Sequence, residues 1–95
     1  MTEHRYCVQG EIDLATAPRV RSELQQAVGI GNQTLMIDCA RLTFIDSTGI
    51  ATLLEAKAKL DAHGGQMLVV NVPPGPRRVF EALGLTDLLR ERDAG

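Results

Sequence analysis

The sequence predicts one small α/β domain, a mainly parallel four-stranded sheet with crossover helices. Three observations lead there. Strand-like apolar runs alternate with helix-spaced apolar stripes in the order β-α-β-α-β-α-β. The run Leu68-Val69-Val70 is apolar without alternation, as in a strand buried on both faces of a parallel sheet. A chain of 95 residues with 44% hydrophobic content has enough material for one core and one domain, spanning 1–95.

Each element has its own justification. The first strand is read over 5–9, where Tyr6 and Val8 lead to Gly10. Glu11-Ile12-Asp13-Leu14 connects it to a helix with Thr16 as a good N-cap and Pro18 tolerated in the first turn. Val20, Leu24, Ala27 and Val28 recur at i, i+4, i+7 and i+8 on one face, and Gly29 and Gly31 stop the helix. A second strand covers 34–39, broken only by Asp38, and Leu42, Phe44 and Ile45 run from it into Asp46-Ser47-Thr48-Gly49. From Ile50, the positions Ile50, Leu53, Leu54 and Ala58 define a second helical face, with Glu55 and Lys59 paired at i,i+4 on the wet side. His63 and Gly64-Gly65 close that helix, His63 serving as a polar group at its C-terminus. A third strand runs over 67–72, and Pro73-Pro74-Gly75-Pro76 forms a stiff loop. Val79, Phe80 and Leu83 mark a short third helix closed by Gly84. Residues 85–89 read as a short strand or a helical turn, and 90–95 as a polar, frayed end.

Composition excludes several functions. The net charge is −2 and no basic patch is interleaved with aromatics, which argues against direct nucleic-acid binding. No stretch approaches the ~18 apolar residues of a membrane span, and no signal-peptide apolar region follows Met1 to Arg5, so a cytoplasmic location is expected. Only Tyr6, Phe44 and Phe80 are aromatic, which predicts an aliphatic core. Cys7 and Cys39 read as reduced core residues, and His4 and His63 keep no ligand spacing with them, so neither metal nor cofactor is expected.

The junction Phe44-Ile45-Asp46-Ser47-Thr48-Gly49-Ile50 points past architecture. A hydroxyl there stands at a helix start, among backbone N–H groups without partners and a partial positive charge that tolerates phosphate. Ser47 is therefore a candidate acceptor for a reversible phosphate. The structural alternative is capping, since Ser and Asp are favoured N-caps. Yet Asp46 and Ser47 are both capping types, so one is surplus, and Ile50 leaves no capping box. Gly49 is a poor helix former that lets another molecule approach the backbone. Asp13 and Ser47 both follow strands at their carboxyl ends, so a parallel sheet brings them to one rim. Competing motifs are incomplete. Ile45-x-Ser47-x-Gly49 lacks the first glycine of a nucleophile elbow, and Gly29-x-Gly31 precedes a strand rather than a helix. Asp13 or Asp46 with His63 suggests a triad less well than His63 suggests a helix end. Arg77-Arg78 reads as a solvated helix face. An enzyme is not expected.

These residues resemble a known family. Gly10-Glu11-Ile12-Asp13, Thr16-Ala17-Pro18, the block from Phe44 to Ile50, and Gly84-Leu85 look like the STAS domain in its small free-standing form, the bacterial anti-sigma factor antagonist (anti-anti-sigma factor). The resemblance runs over about 5–90. It implies that Ser47 is phosphorylated by a serine kinase that is also the anti-sigma factor. It implies that the unmodified form binds this kinase and frees a sigma factor, and that a serine/threonine phosphatase resets the cycle. Asp13, Asp46, Thr48 and Gly49 would then belong to the partner-binding surface. Phosphate adds about −1.5 to −2 charge beside Asp46 and Asp13, which should weaken a docked complex directly. Against the family pattern, only Met1 to His4 precede the first strand, leaving an expected N-terminal strand missing, and the C-terminal helix is short or absent after Arg90. Pairing of sheet edges between two copies, a homodimer, would cover the exposed edge. Two alternatives from other classes stand beside this reading: a STAS-type accessory subunit of a bacterial lipid-transport ATPase, and a nucleotide-binding STAS domain.

Overall fold

The computed structural model describes residues 2–28 and 33–90. Its elements are β1 (Thr2–Ile12), α1 (Ala17–Ala27), β2 (Gln33–Ile45), α2 (Ser47–Ala62), β3 (Gln66–Val70), α3 (Pro74–Ala82), a 3-10 turn (Thr86–Leu88) and β4 (Leu89–Arg90). The sheet order is β1-β2-β3-β4 and every pairing is parallel. The predicted alternation is observed, with one reduction. Three long strands carry the sheet, and the fourth is only a two-residue pairing of Leu89 and Arg90 against Val69 and Val70. Residues 86–88 are taken by the 3-10 turn, in which the Leu88 N–H donates to the Leu85 carbonyl at 3.1 Å.

The first two strands outrun their predicted ends. Gly10 read as a terminator, but it sits within β1 at a φ of 76°, next to a register shift between Gly10 and Glu11. Such bulges bend a strand without ending it. Residues 40–44 of β2 carry Ala40, Arg41, Thr43 and Phe44 exposed, so the strand loses its apolar pattern there. β2 still pairs with β1 up to Ile12↔Ile45, whereas its pairing with β3 stops at Asp38↔Val70. A two-stranded ribbon of β1 and β2 therefore projects beyond β3. Its tip carries the segments that hold Asp13 and Ser47.

The helices follow the apolar pattern with corrections. Val20 and Leu24 of α1 are buried as predicted, with Ala27 and Val28 partly so. Thr16 precedes α1 but makes no capping bond; its hydroxyl is engaged in the preceding turn. In α2 the buried side is Ile50, Leu53, Ala56 and Leu60, and Ala58 is exposed on the far side. Glu55 pairs with Arg21 of α1, at 3.1 and 3.2 Å, instead of with Lys59. α3 begins inside the proline-rich segment predicted as a loop. Pro74 and Pro76 occupy the first turn, where a missing N–H costs nothing, and Pro76 is buried. The predicted stops at Gly29 and Gly31 and the end at 91–95 lie outside the described residues. Gly64 and Gly84 are both left-handed (φ 77° and 71°), and each closes its helix by the paired bonds of a Schellman motif.

The core lies between the sheet and the helices, with Ile12, Leu35, Ile37, Val69 and Phe80 fully enclosed. Phe80 is its one fully buried aromatic ring. Cys39 is buried, and burial with a smaller contribution from neighbouring Asp38 pushes its thiol up to about 12. Cys7, predicted to be a core residue, is exposed. Val8 is buried and Tyr6 donates its hydroxyl to Glu23 of α1, so strand alternation turns Cys7 to the opposite face. On that face Asp38 accepts from Arg5 (2.8 Å), the Ala40 N–H (3.1 Å) and Asn71 (3.2 Å). Burial pushes the Asp38 carboxyl up, but the bonds from Ala40, Asn71 and Arg5 outweigh it and hold it below the usual carboxylate range.

Candidate functional site

The last paired residues of the ribbon, Ile12 and Ile45, bring two chain segments to one point. Beyond them the Asp46 N–H donates to the Ile12 carbonyl at 3.3 Å. Asp13 and Asp46 therefore leave the ribbon side by side, and Ser47 follows as the first residue of α2. The predicted convergence of Asp13 and Ser47 on one rim is what the backbone shows.

Within that rim the two capping candidates are told apart. Asp46 has an extended backbone, and its Oδ1 accepts the Gly49 N–H at 3.0 Å while its carbonyl accepts the Ile50 N–H at 3.0 Å. That is the geometry of an N-cap. Ser47 is exposed, and its hydroxyl makes no hydrogen bond among the described residues. Ser47 is thus the surplus member of the pair. Thr48 is half-buried, and its carbonyl accepts the hydroxyl of the buried Thr52 at 3.0 Å.

Gly49 is present for a reason the sequence did not suggest. It is buried, and a Cβ there would lie 2.6 Å from the Ile12 carbonyl oxygen, 2.7 Å from Ile45 Cγ1 and 2.9 Å from Ile12 Cγ2. The first turn of α2 is seated directly on the end of the ribbon, and only glycine permits it. The close approach is made by β1 of the same chain.

Asp13 organises the other half of the rim. Its Oδ1 accepts the N–H groups of Ala15 (3.0 Å) and Thr16 (3.1 Å), an Asx turn. Its own N–H donates to Thr16 Oγ1 at 2.9 Å, and that hydroxyl donates to the Glu11 carbonyl at 2.9 Å. Its carbonyl accepts the Ala17 N–H at 2.8 Å, which starts α1. The turn is fastened at both sides and leaves Leu14 at its tip, 76% exposed. Phe44, opposite Glu11, is 47% exposed. In the sequence Leu14 belongs to a connector and Phe44 to the apolar run into the turn, and neither pattern shows its exposure.

The rim is acidic. Glu11 is exposed and Asp13 and Asp46 are half-buried, and the ion pairs Arg5–Asp38, Arg21–Glu55, Lys57–Asp61 and Arg77–Glu81 lie elsewhere. His63 caps the far end of α2, 16 residues and about 24 Å from Ser47, so no triad forms. Two surface grooves of about 490 and 470 Å³, one beside β1 and α1 and the other beside α2 and β3, include none of Asp13, Asp46 or Ser47.

Residues 5–93, which include the ribbon, the aspartate cap and the serine behind it, match the family profile described as the STAS domain. The chain belongs to the STAS domain family. This STAS domain is 30% identical over 82 residues to the anti-sigma-B factor antagonist of Listeria monocytogenes, covering 86% of this chain and 72% of the relative. Its fold is similar to that of the anti-sigma factor antagonist SpoIIAA in its unphosphorylated form, with a TM-score of 0.83, 24% identity, and coverage of 98% of this chain and 82% of that one. For the phosphorylated form of SpoIIAA, from Bacillus, the TM-score is 0.73 at 24% identity, covering 97% of this chain and 84% of that one. At that identity both structures speak to the fold alone. No helix among the described residues of this STAS domain is long and apolar enough to cross a membrane.

Proposed function

We propose that this STAS domain is an anti-sigma factor antagonist whose switch is Ser47. In this reading the unphosphorylated form docks its rim against an anti-sigma factor that is also a serine kinase, and a sigma factor is released. Phosphorylation of Ser47 ends the contact, and a serine/threonine phosphatase restores it. The chain is the substrate and the regulator in this cycle, not the catalyst, and it works in the cytoplasm.

The observation that carries the reading is the division of labour between Asp46 and Ser47. Because Asp46 supplies the cap, the Ser47 hydroxyl is exposed and makes no hydrogen bond among the described residues, and modifying it removes none of the bonds that hold their fold. A phosphate there sits at the start of a 16-residue helix, where charge and free N–H groups favour an anion. It also adds about −1.5 to −2 charge to a rim already bearing Glu11, Asp13 and Asp46. A partner that fits the acidic, unmodified rim meets both bulk and excess charge after modification. Asp13, Asp46 and Thr48 lie around the serine within the surface such a partner covers, and Gly49 contributes by seating the helix. The same free hydroxyl favours the switch over an accessory subunit of a lipid-transport ATPase or a nucleotide-binding domain, since neither requires a phosphoacceptor. Incubation with the anti-sigma kinase and ATP, followed by phosphopeptide mapping, should place one phosphate on Ser47 and none on Ser47→Ala. Label retained in Ser47→Ala would remove the assignment.

A further inference from the structure

Leu14 stands out once the rim is assembled. Three large apolar side chains are strongly exposed among the described residues: Leu14 (76%), Leu83 (51%) and Phe44 (47%). An isolated exposed leucine is ordinary. Leu14 differs in how it is held. It lies between Asp13, whose carboxylate accepts from Ala15 and Thr16, and Thr16, whose hydroxyl ties the turn back to Glu11. The start of α1 is fixed to the same turn through the bond from the Ala17 N–H to the Asp13 carbonyl. The side chain at the tip thus projects from a backbone held on both sides, so little backbone freedom remains to be lost when it is covered. Glu11 and Asp13 precede it in the chain, and Asp46 leaves the ribbon beside Ile12, two residues before it.

We infer that Leu14 is the apolar anchor of the rim, seated in a pocket of the anti-sigma partner that is bordered by cationic side chains. The inference rests on the proposed function for the identity of the partner and adds to it the residue that supplies binding energy. Charge complementarity selects this occupant. A cationic border suits the three rim carboxylates, and a central apolar pocket within a charged border is how interfaces concentrate affinity. Asp13 then acts as a positioning residue, because its carboxylate shapes the turn that presents Leu14. A phosphate at Ser47 then acts by bulk and hydration: it holds water beside the point where Leu14 must be desolvated, and this outweighs its attraction to the cationic border.

The test is titration calorimetry of the full chain against the anti-sigma factor kinase, comparing wild type, Leu14→Ser, Leu14→Met and Leu83→Ser. Leu83 ends α3, at the opposite end of the sheet from the rim, and serves as an exposed leucine outside the contact. Leu14→Ser should weaken binding about tenfold or more. Leu14→Met should stay close to wild type, as should Leu83→Ser. All four chains should share one circular dichroism spectrum, because neither leucine is part of the core. If wild type binds and Leu14→Ser binds within about twofold of it, the anchor is wrong and the proposed function stands. If wild type does not bind the kinase at all, the proposed function and the anchor fall together.

Discussion

The two ends of α2 differ in how completely the chain uses its own polar groups. At the C-terminal end the backbone closes on itself. The Gly64 N–H bonds to the Asp61 carbonyl at 3.3 Å and the Gly65 N–H to the Leu60 carbonyl at 2.8 Å, and His63 N–H reaches Leu60 at 3.0 Å. At the N-terminal end Asp46 completes the cap and Gly49 completes the packing, yet Ser47 remains outside both. A closed end needs no further explanation. An end with one capping residue too many, exposed and placed beside an acidic turn, is where a regulated contact can be built without cost to the fold.

Breaking that comparison begins with Gly49, where the largest loss is expected. Gly49→Ala puts a methyl 2.6 Å from the Ile12 carbonyl oxygen, which is backbone and cannot step aside. Overpacking of this kind costs roughly 2 kcal/mol, or about 10 °C in Tm for a domain this small, and thermal unfolding followed by circular dichroism would show it. A Gly49→Ala chain that melts with wild type would mean that α2 is not seated on the ribbon as described. Asp46→Ala comes next. Loss of the side-chain cap on the Gly49 N–H should cost about 1 kcal/mol in urea unfolding. Asp13→Ala should cost a similar ~1 kcal/mol through the lost Asx turn, while Asp13→Asn, whose amide oxygen can accept the same two N–H groups, should cost only a few tenths. Equal losses in the two Asp13 variants would show that the charge matters more than the turn. Ser47→Ala should be the smallest effect, within about 0.5 kcal/mol of wild type, because no bond is removed.

How much of this was legible in the chain varies by region. Val20 with Leu24, and Ile50 with Leu53, follow helical spacing and are buried, since each helix lays one side on the sheet. Gly64 and Gly84 announced their helix ends because only a left-handed residue closes a Schellman motif cheaply. The ribbon was not legible. Gly10 reads as a strand end, and Ala40, Arg41 and Thr43 interrupt the apolar run of 34–39, because a two-stranded extension without β3 beside it has less to bury. The start of α3 was hidden because prolines that break a helix interior are acceptable in a first turn. At the site, Asp13, Asp46 and Ser47 were legible from residue type and position after the strands. Which of Asp46 and Ser47 caps the helix was not, since both side chains can do it. The packing reason for Gly49 and the exposure of Leu14 depend on how the ribbon tip meets α2 and α1, and local sequence does not encode that meeting.

The central claim is that Ser47 is surplus to the fold and decisive for the partner. The direct measurement pairs the Tm of Ser47→Asp with its affinity for the anti-sigma kinase. We expect a native melting temperature together with binding weakened about tenfold, because a carboxylate brings part of the bulk and bound water of a phosphate into the contact. Undiminished affinity, or a loss of stability large enough to explain the loss of binding, would contradict it.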